Sequence, residues 1–188
     1  MDISDDIFIS IILVMHMLKY VNTDVVFQEI PNETTLAINI SNCPCHCKGC
    51  HSAYLAEDIG EYLIDYPKDI YSDDFSIYNI DELIEKNKGI TCVGLMGGDS
   101  DPLLINILAS YIKLKYPDLL IAWYSGRQEL AKEIDLKNFD YIKLGPYIEE
   151  LGGLKSPTTN QRLYEYNPLY SDYTIGPSWR DITSAFWK

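Results

Sequence analysis

Two stretches near the start of the chain, residues 24–30 (DVVFQEI) and 34–40 (TTLAINI), are rich in apolar and β-branched positions and bracket Pro31, Asn32 and Glu33. That pattern predicts two strands joined by a turn. Residues 90–96 (ITCVGLM) and 119–124 (LLIAWY) are continuously apolar, as strands buried on both faces of a parallel sheet are. Residues 141–144 (YIKL) read as a last strand. Helical signals separate these runs. Asn79 stands three residues before Glu82 as an N-cap pair, the helix runs through 83–88 (LIEKNK), and Gly89 occupies the C-cap place. Asp101 and Pro102 open a second helix whose Leu104, Ile107, Leu108, Tyr111 and Ile112 form one apolar stripe, closed by Pro117. A short helix is expected over 128–134. The alternation from 79 to 144 predicts parallel strands with right-handed crossovers. Residues 54–78 hold many Tyr and Asp without a period and read as irregular. Beyond Gly145 and Pro146 the chain turns aromatic and polar, and Trp179, Phe186 and Trp187 are expected to pack on the body or on a partner.

The length of 188 residues suits one domain and falls short of the roughly 250 that a complete eight-stranded β/α barrel takes. Fifteen Lys and Arg against 28 Asp and Glu leave a net charge of −13. Such a surface repels a phosphate backbone and an anionic bilayer, so neither nucleic acid nor membrane is an expected partner. An apolar run over 7–14 (IFISIILV) follows the acidic Asp2, Asp5 and Asp6. It lacks the basic start of a signal peptide and is well short of the roughly 20 residues that span a bilayer. It reads as an extra terminal helix or, preferably, as an extension (1–16) upstream of a start at Met17. The remainder, 17–188, then forms a single domain.

Four of the five cysteines, Cys43, Cys45, Cys47 and Cys50, fall within CPCHCKGC directly after the second strand. This crowding suits thiolate-bound metal in a reducing compartment, the cytoplasm, better than a disulfide framework. Two framings compete. Cys47 and Cys50 alone make a zinc or redox pair, which zinc would complete with Cys45, His46 or His51. Cys43, Cys47 and Cys50 give C-x3-C-x2-C, three thiolates able to hold three irons of a 4Fe-4S cluster and leave the fourth iron open. Cys92, inside an apolar strand, reads as a small core residue, and Cys45 as a non-ligand between ligands. Taken alone, Gly97-Gly98 is a turn, and Ser125 is as well read as a helix N-cap.

The C-x3-C-x2-C loop after an early strand, followed by Gly97-Gly98-Asp99 at the end of the next core strand, resembles the radical S-adenosylmethionine superfamily. Asp99 stands where the superfamily has Glu. The segments 145–150 (GPYIEE) and 159–162 (TNQR) and the small size resemble one family within it, the activating proteins of anaerobic ribonucleoside-triphosphate reductase. The resemblance implies an α/β fold, a partial (incomplete) β/α barrel with parallel strands. It implies a 4Fe-4S cluster on Cys43, Cys47 and Cys50, with S-adenosylmethionine cleaved reductively to raise a glycyl radical on the reductase. Gly49, Cys50 and His51 would line the adenosyl pocket, although many members carry an aromatic residue where Gly49 stands. Gly97, Gly98 and Asp99 would hold the methionine end, and Ser125 would touch cofactor. Partners implied are the reductase, as protein substrate, and an unidentified one-electron donor. Other readings are an enzyme of the 7-carboxy-7-deazaguanine synthase type acting on a small molecule, and a non-catalytic iron-sulfur or zinc module. Asn160, Gln161 and Arg162 would either dock the reductase or stabilise a local turn.

Overall fold

The structure, a computed structural model, describes residues 17–65, 76–170 and 174–187. The expectation of an N-terminal extension over 1–16 lies outside the described residues. In chain order the strands are β1 (Met17–Val26), β2 (Thr35–Ile40), β3 (Glu61–Asp65), β4 (Ser76–Ile77), β5 (Cys92–Met96), β6 (Leu120–Tyr124), β7 (Tyr141–Leu144), β8 (Arg162–Tyr166) and β9 (Trp179–Asp181). The helices are α1 (Ile80–Lys86) and α2 (Pro102–Lys115). All nine strands belong to one open sheet in the order β4-β3-β1-β2-β5-β6-β7-β8-β9. The central four, β2, β5, β6 and β7, pair parallel, and the strands outside them pair antiparallel. The fold is therefore mixed α/β with a parallel centre and two antiparallel wings.

The pleat sorts the central strands into two faces. Ile38, Leu95, Trp123 and Ile142 stand in register across β2, β5, β6 and β7 and are all fully buried. They share a core with Leu104, Ile105, Leu108, Ala109 and Ile112 of α2; of the predicted stripe, Leu104, Leu108 and Ile112 are fully buried, while Ile107 and Tyr111 only flank it, because the buried face is turned towards Ile105 and Ala109. Asp101 caps α2 by accepting a hydrogen bond from the Leu104 N–H at 3.2 Å. The other face carries the row Asn39, Met96, Tyr124 and Lys143. Its amino-terminal half is filled by a second cluster of Ile30, Cys92, Ala122, Tyr141 and Leu163, against which Leu154, Ile182 and Phe186 pack. Cys92 is fully buried there, the core role expected of it, and burial pushes its thiol up to about 12.

Several sequence expectations are corrected. The first strand runs over Met17–Val26, not 24–30, because its partners are β2 on one side and β3 on the other. Residues 128–134 form no helix, and the nearest turn of helix is the 3₁₀ segment Leu136–Asn138. Its lead-in is held by Asn106 of α2, whose Oδ1 accepts from the Asp135 N–H. Asn79 does not cap α1 with its side chain. It sits at φ 60° and donates instead to the Tyr62 carbonyl, and α1 ends at Lys86, earlier than expected. Parts of the segment read as irregular are strands β3 and β4, and the aromatic tail supplies β8 and β9. Trp179 is buried and stacks on Tyr166 with ring centroids 5.7 Å apart. Among the described residues no helix is long and apolar enough to cross a membrane.

Candidate metal and cofactor site

Parallel strands aim their carboxyl ends at one edge of a sheet, which is where open α/β sheets bind ligands. On this edge the chain leaves β2 into the cysteine loop, β5 into Gly97-Gly98-Asp99, β6 into Ser125-Gly126-Arg127 and β7 into Gly145. The cysteine loop is tied back at its root. Asn42 N–H donates to Glu57 and Cys43 N–H to Leu55, each to the main-chain carbonyl, at 3.0 and 2.9 Å. Cys50 N–H donates to the Cys47 carbonyl at 3.2 Å, which closes one turn around those two thiols. All four loop cysteines are free and half-buried. Gly49 has φ +72°, and a Cβ there would stand 3.2 Å from the Glu149 carboxyl carbon. That accounts for a glycine at the position where an aromatic was the family expectation.

The two glycines after β5 are demanded by close packing. Gly97 at φ +101° has the Ile40 carbonyl oxygen 2.9 Å from where its Cβ would lie. Gly98 at φ +79° has Ile105 Cγ1 at 2.7 Å. The Gly97 carbonyl accepts from Trp123 Nε1–H at 2.8 Å. This fixed turn delivers Asp99, 1% exposed, to the ends of the neighbouring strands. Ser125 Oγ–H donates to Asp99 Oδ1 at 2.6 Å and Gly126 N–H to Oδ2 at 2.8 Å. The Arg127 guanidinium donates to the Asp99 main-chain carbonyl at 2.7 Å and lies 3.6 Å from Oδ1. Ser125 is thus no helix cap. It is itself 1% exposed and orients Asp99.

Cys45 was expected to lie idle between ligands. The structure packs its Sγ 3.9 Å from Asp99 Oδ2, and among the described residues Cys43, Cys45 and Asp99 form the group whose ligand atoms all lie within 4.8 Å of one another. Burial, then the charges of Asp99 and Cys43, push the Cys45 thiol up to about 12. Cys47 and Cys50 share the loop but not that group. Three thiolates on separate corners of a cubane stand wider apart than three ligands of one ion, so this closeness does not decide between the two. As a donor set, free and half-buried thiolates on one short loop fit iron.

Beside the loop lies a cavity of about 700 Å³ whose floor is the row Asn39, Met96, Tyr124 and Lys143, with Cys50, His51 and Tyr147 along its wall. Cys50 and His51 face this one space, whereas Gly49, Gly97, Gly98, Asp99 and Ser125 are not among its lining residues. Sequence reasoning missed Lys143. It is 7% exposed and donates to the Ser125 and Gly145 carbonyls at 3.1 and 2.7 Å. Burial lowers its ammonium to about 8, with the negative charge of Asp99 and the loop thiols opposing that shift. Its position in an apolar strand was the available signal, since a Lys inside such a run is seldom buried without purpose. Gln161 also lines the cavity, while Asn160 donates to the Pro146 carbonyl and Arg162 to those of Thr159 and Gln161, the local-turn role.

Fold and site together define a class: an open α/β sheet with a thiol-rich loop and an anchored carboxylate at its ligand-binding edge. No family model, curated protein or solved structure matches this chain.

Proposed function

We propose that this protein is a radical S-adenosylmethionine enzyme that activates anaerobic ribonucleoside-triphosphate reductase by raising a glycyl radical on it. One observation carries the reading: the cysteine loop after β2, the Gly97-Gly98-Asp99 turn after β5 and Ser125 after β6 share the carboxyl edge of neighbouring parallel strands, beside a cavity walled by Cys50 and His51. The open sheet with its parallel centre is compatible with a partial β/α barrel of that type. Cys43, Cys47 and Cys50 are the residues that would hold a 4Fe-4S cluster, and their free thiols suit the cytoplasm. Reductive cleavage of S-adenosylmethionine, with an electron from an external donor, is the chemistry such a cluster supplies when bound.

The chain's own part is placement and shielding. Gly97 and Gly98 let backbone approach closely, Ser125 and Gly126 lock the Asp99 carboxylate, and Leu154 and Phe186, packed on the second apolar cluster, give the cavity an apolar lining. A second reading, an enzyme acting on a small molecule, is favoured by the cavity itself, whose 700 Å³ lies within the range that takes a small ligand.

Anaerobic reconstitution with iron and sulfide, then reduction with S-adenosylmethionine, tests the cluster. The expected result is 5′-deoxyadenosine from the parent protein and loss of iron in Cys43→Ala, Cys47→Ala and Cys50→Ala. Full iron content in all three variants with no 5′-deoxyadenosine refutes it. Adding the reductase separates the two enzyme readings, because a glycyl radical signal in electron paramagnetic resonance belongs only to the first.

A further inference from the structure

The Cys45 thiol and the Asp99 carboxylate have no role in the cluster assignment, yet they face each other across the site. Their atoms stand 3.9 Å apart, and Cys43 Sγ completes a triangle with every side within 4.8 Å. A tetrahedral zinc ion takes Zn–S bonds of about 2.3 Å and Zn–O bonds of about 2.1 Å, which puts sulfur and oxygen ligands roughly 3.6 Å apart. The Cys45–Asp99 side, at 3.9 Å, is a few tenths of an ångström from that value, and the two sides to Cys43, each within 4.8 Å, would close by up to about 1 Å.

Asp99 is also prepared as a ligand. Ser125 Oγ–H and Gly126 N–H each occupy one lone pair of its two oxygens, at 2.6 and 2.8 Å, and Oδ2 also accepts from the Cys45 S–H at 3.9 Å, whose proton a bound metal would replace. Outer hydrogen bonds of this kind fix the orientation of a ligating carboxylate. Arg127, 3.6 Å from Oδ1, offsets part of the negative charge of two thiolates and a carboxylate. Two thiolates and one carboxylate form a borderline-soft set that selects zinc over magnesium or calcium, and three protein ligands leave a fourth position open.

We infer that the loop binds one zinc-class divalent cation on Cys43, Cys45 and Asp99. Cys43 belongs to this set and to the one assigned to the cluster, so the two metals exclude each other and zinc opposes cluster assembly. The inference stands whether or not the cluster forms.

The probe is cobalt(II), whose absorption reports thiolate bonding and tetrahedral geometry, added to the full chain after anaerobic reduction and removal of metal. One equivalent is expected to bind with thiolate-to-metal charge-transfer bands and to be displaced by one equivalent of zinc. Cys45→Ala and Asp99→Asn should each weaken binding by about 10-fold or more, while Cys47→Ala and Cys50→Ala leave it intact. Asp99→Asn is judged only if its urea unfolding stays cooperative, and Cys45→Ala, a small change at a half-buried loop position, serves where it does not. Unchanged cobalt affinity in Cys45→Ala, or its loss in Cys47→Ala, overturns the assignment. Iron content of Cys47→Ala after reconstitution reports separately on the cluster.

Discussion

Gly126→Ala should damage the protein through Cys45, and removing the Cys45 sulfur should repair it. An added Cβ at Gly126 would lie 2.6 Å from Cys45 Sγ and 3.2 Å from Cys45 Cβ, where ordinary contact begins at 3.4 Å. The sulfur must therefore retreat by about 0.8 Å, the difference between those distances, or the loop must lift. Overpacking costs about 1–3 kcal/mol. Gly126 has no left-handed backbone to lose, so an alanine also returns about 0.4–1 kcal/mol by restricting the unfolded chain. The net loss expected is about 1–2 kcal/mol, a fall in Tm of roughly 2–8 °C for a chain of this length. In Gly126→Ala/Cys45→Ala the 3.2 Å contact remains and the 2.6 Å contact is gone. The double variant should then recover about 1 kcal/mol relative to the sum of the single ones. The assay is urea unfolding of the four proteins under anaerobic reducing conditions with chelator, read by tryptophan fluorescence. Additivity within about 0.5 kcal/mol would refute the packing of the cysteine loop on the end of β6.

Three further outcomes follow from the same contacts. Gly98→Ala combines a left-handed φ of +79° with a clash against Ile105, so a loss of about 2–5 kcal/mol in urea unfolding is expected, and the double variant with Ile105→Ala should lose less than the sum of the two single losses. Burial pushes the Asp81 carboxyl up, but hydrogen bonds from Lys115, Tyr111 and Tyr116 at 2.6, 2.8 and 2.9 Å outweigh that and hold it below its usual value. Its contribution is present above the ordinary Asp pKa and lost as pH falls through the folded one. The advantage over Asp81→Asn, about 1 kcal/mol because the pair is over one-third exposed, should vanish in acid and shrink with salt. For Lys143 the sign is reversed. Its folded value of about 8 lies below the ordinary 10.5, so the unfolded chain holds more protons between the two. Parent stability relative to Lys143→Met should rise across that window by up to about 3 kcal/mol, and a flat difference would contradict a buried ammonium.

How much of this was legible depends on where each strand's partners lie. The runs at β2, β5 and β6 are apolar on both faces because each is flanked by strands and covered on both sides, so composition alone marks them. α2 announces itself through Asp101, Pro102 and a stripe that only a helix makes contiguous. β3, β8 and β9 are wing strands whose outer positions, such as Tyr62 and Tyr166, stay exposed, so tyrosine and acid replace the alternation that would reveal them. The misread helix over 128–134 failed for a different reason. Its apolar residues Leu130, Ala131 and Ile134 have helical spacing but pack on the α2 side of the sheet from an irregular loop with a single turn closed by Ile134 N–H to the Ala131 carbonyl, and spacing does not tell those arrangements apart. Cys43, Cys47 and Cys50 could be read as one set because they lie close in sequence, and as cluster ligands they stand as proposed. The approach of Cys45 to Asp99 was not legible, since the two are 54 residues apart and meet only through the parallel register of β2, β5 and β6.

That register also explains why the site can be both rigid and adaptable. Asp99 is held by main chain and side chains from the end of β6, and the turn that carries it is pinned by Ile40 of β2 and Ile105 of α2, all belonging to the buried core. The cysteine loop, by contrast, touches the body at its root, through Asn42 and Cys43, along its flank where Cys45 meets Gly126 and Asp99, and through Lys48 and Gly49 at the exposed Glu149. The thiols past that root sit half-exposed on a segment with left-handed turns at His46 and Gly49. Local opening costs least where few buried contacts are broken. On the proposed assignments, a fixed carboxylate facing a half-exposed loop would let Cys43 serve either a compact single-ion set with Cys45 and Asp99 or a wider set with Cys47 and Cys50, without disturbing the sheet. If both sets form, the choice between them would rest on how tightly each metal is held, and the separate effects of Cys45→Ala and Cys47→Ala would measure the two terms of that competition.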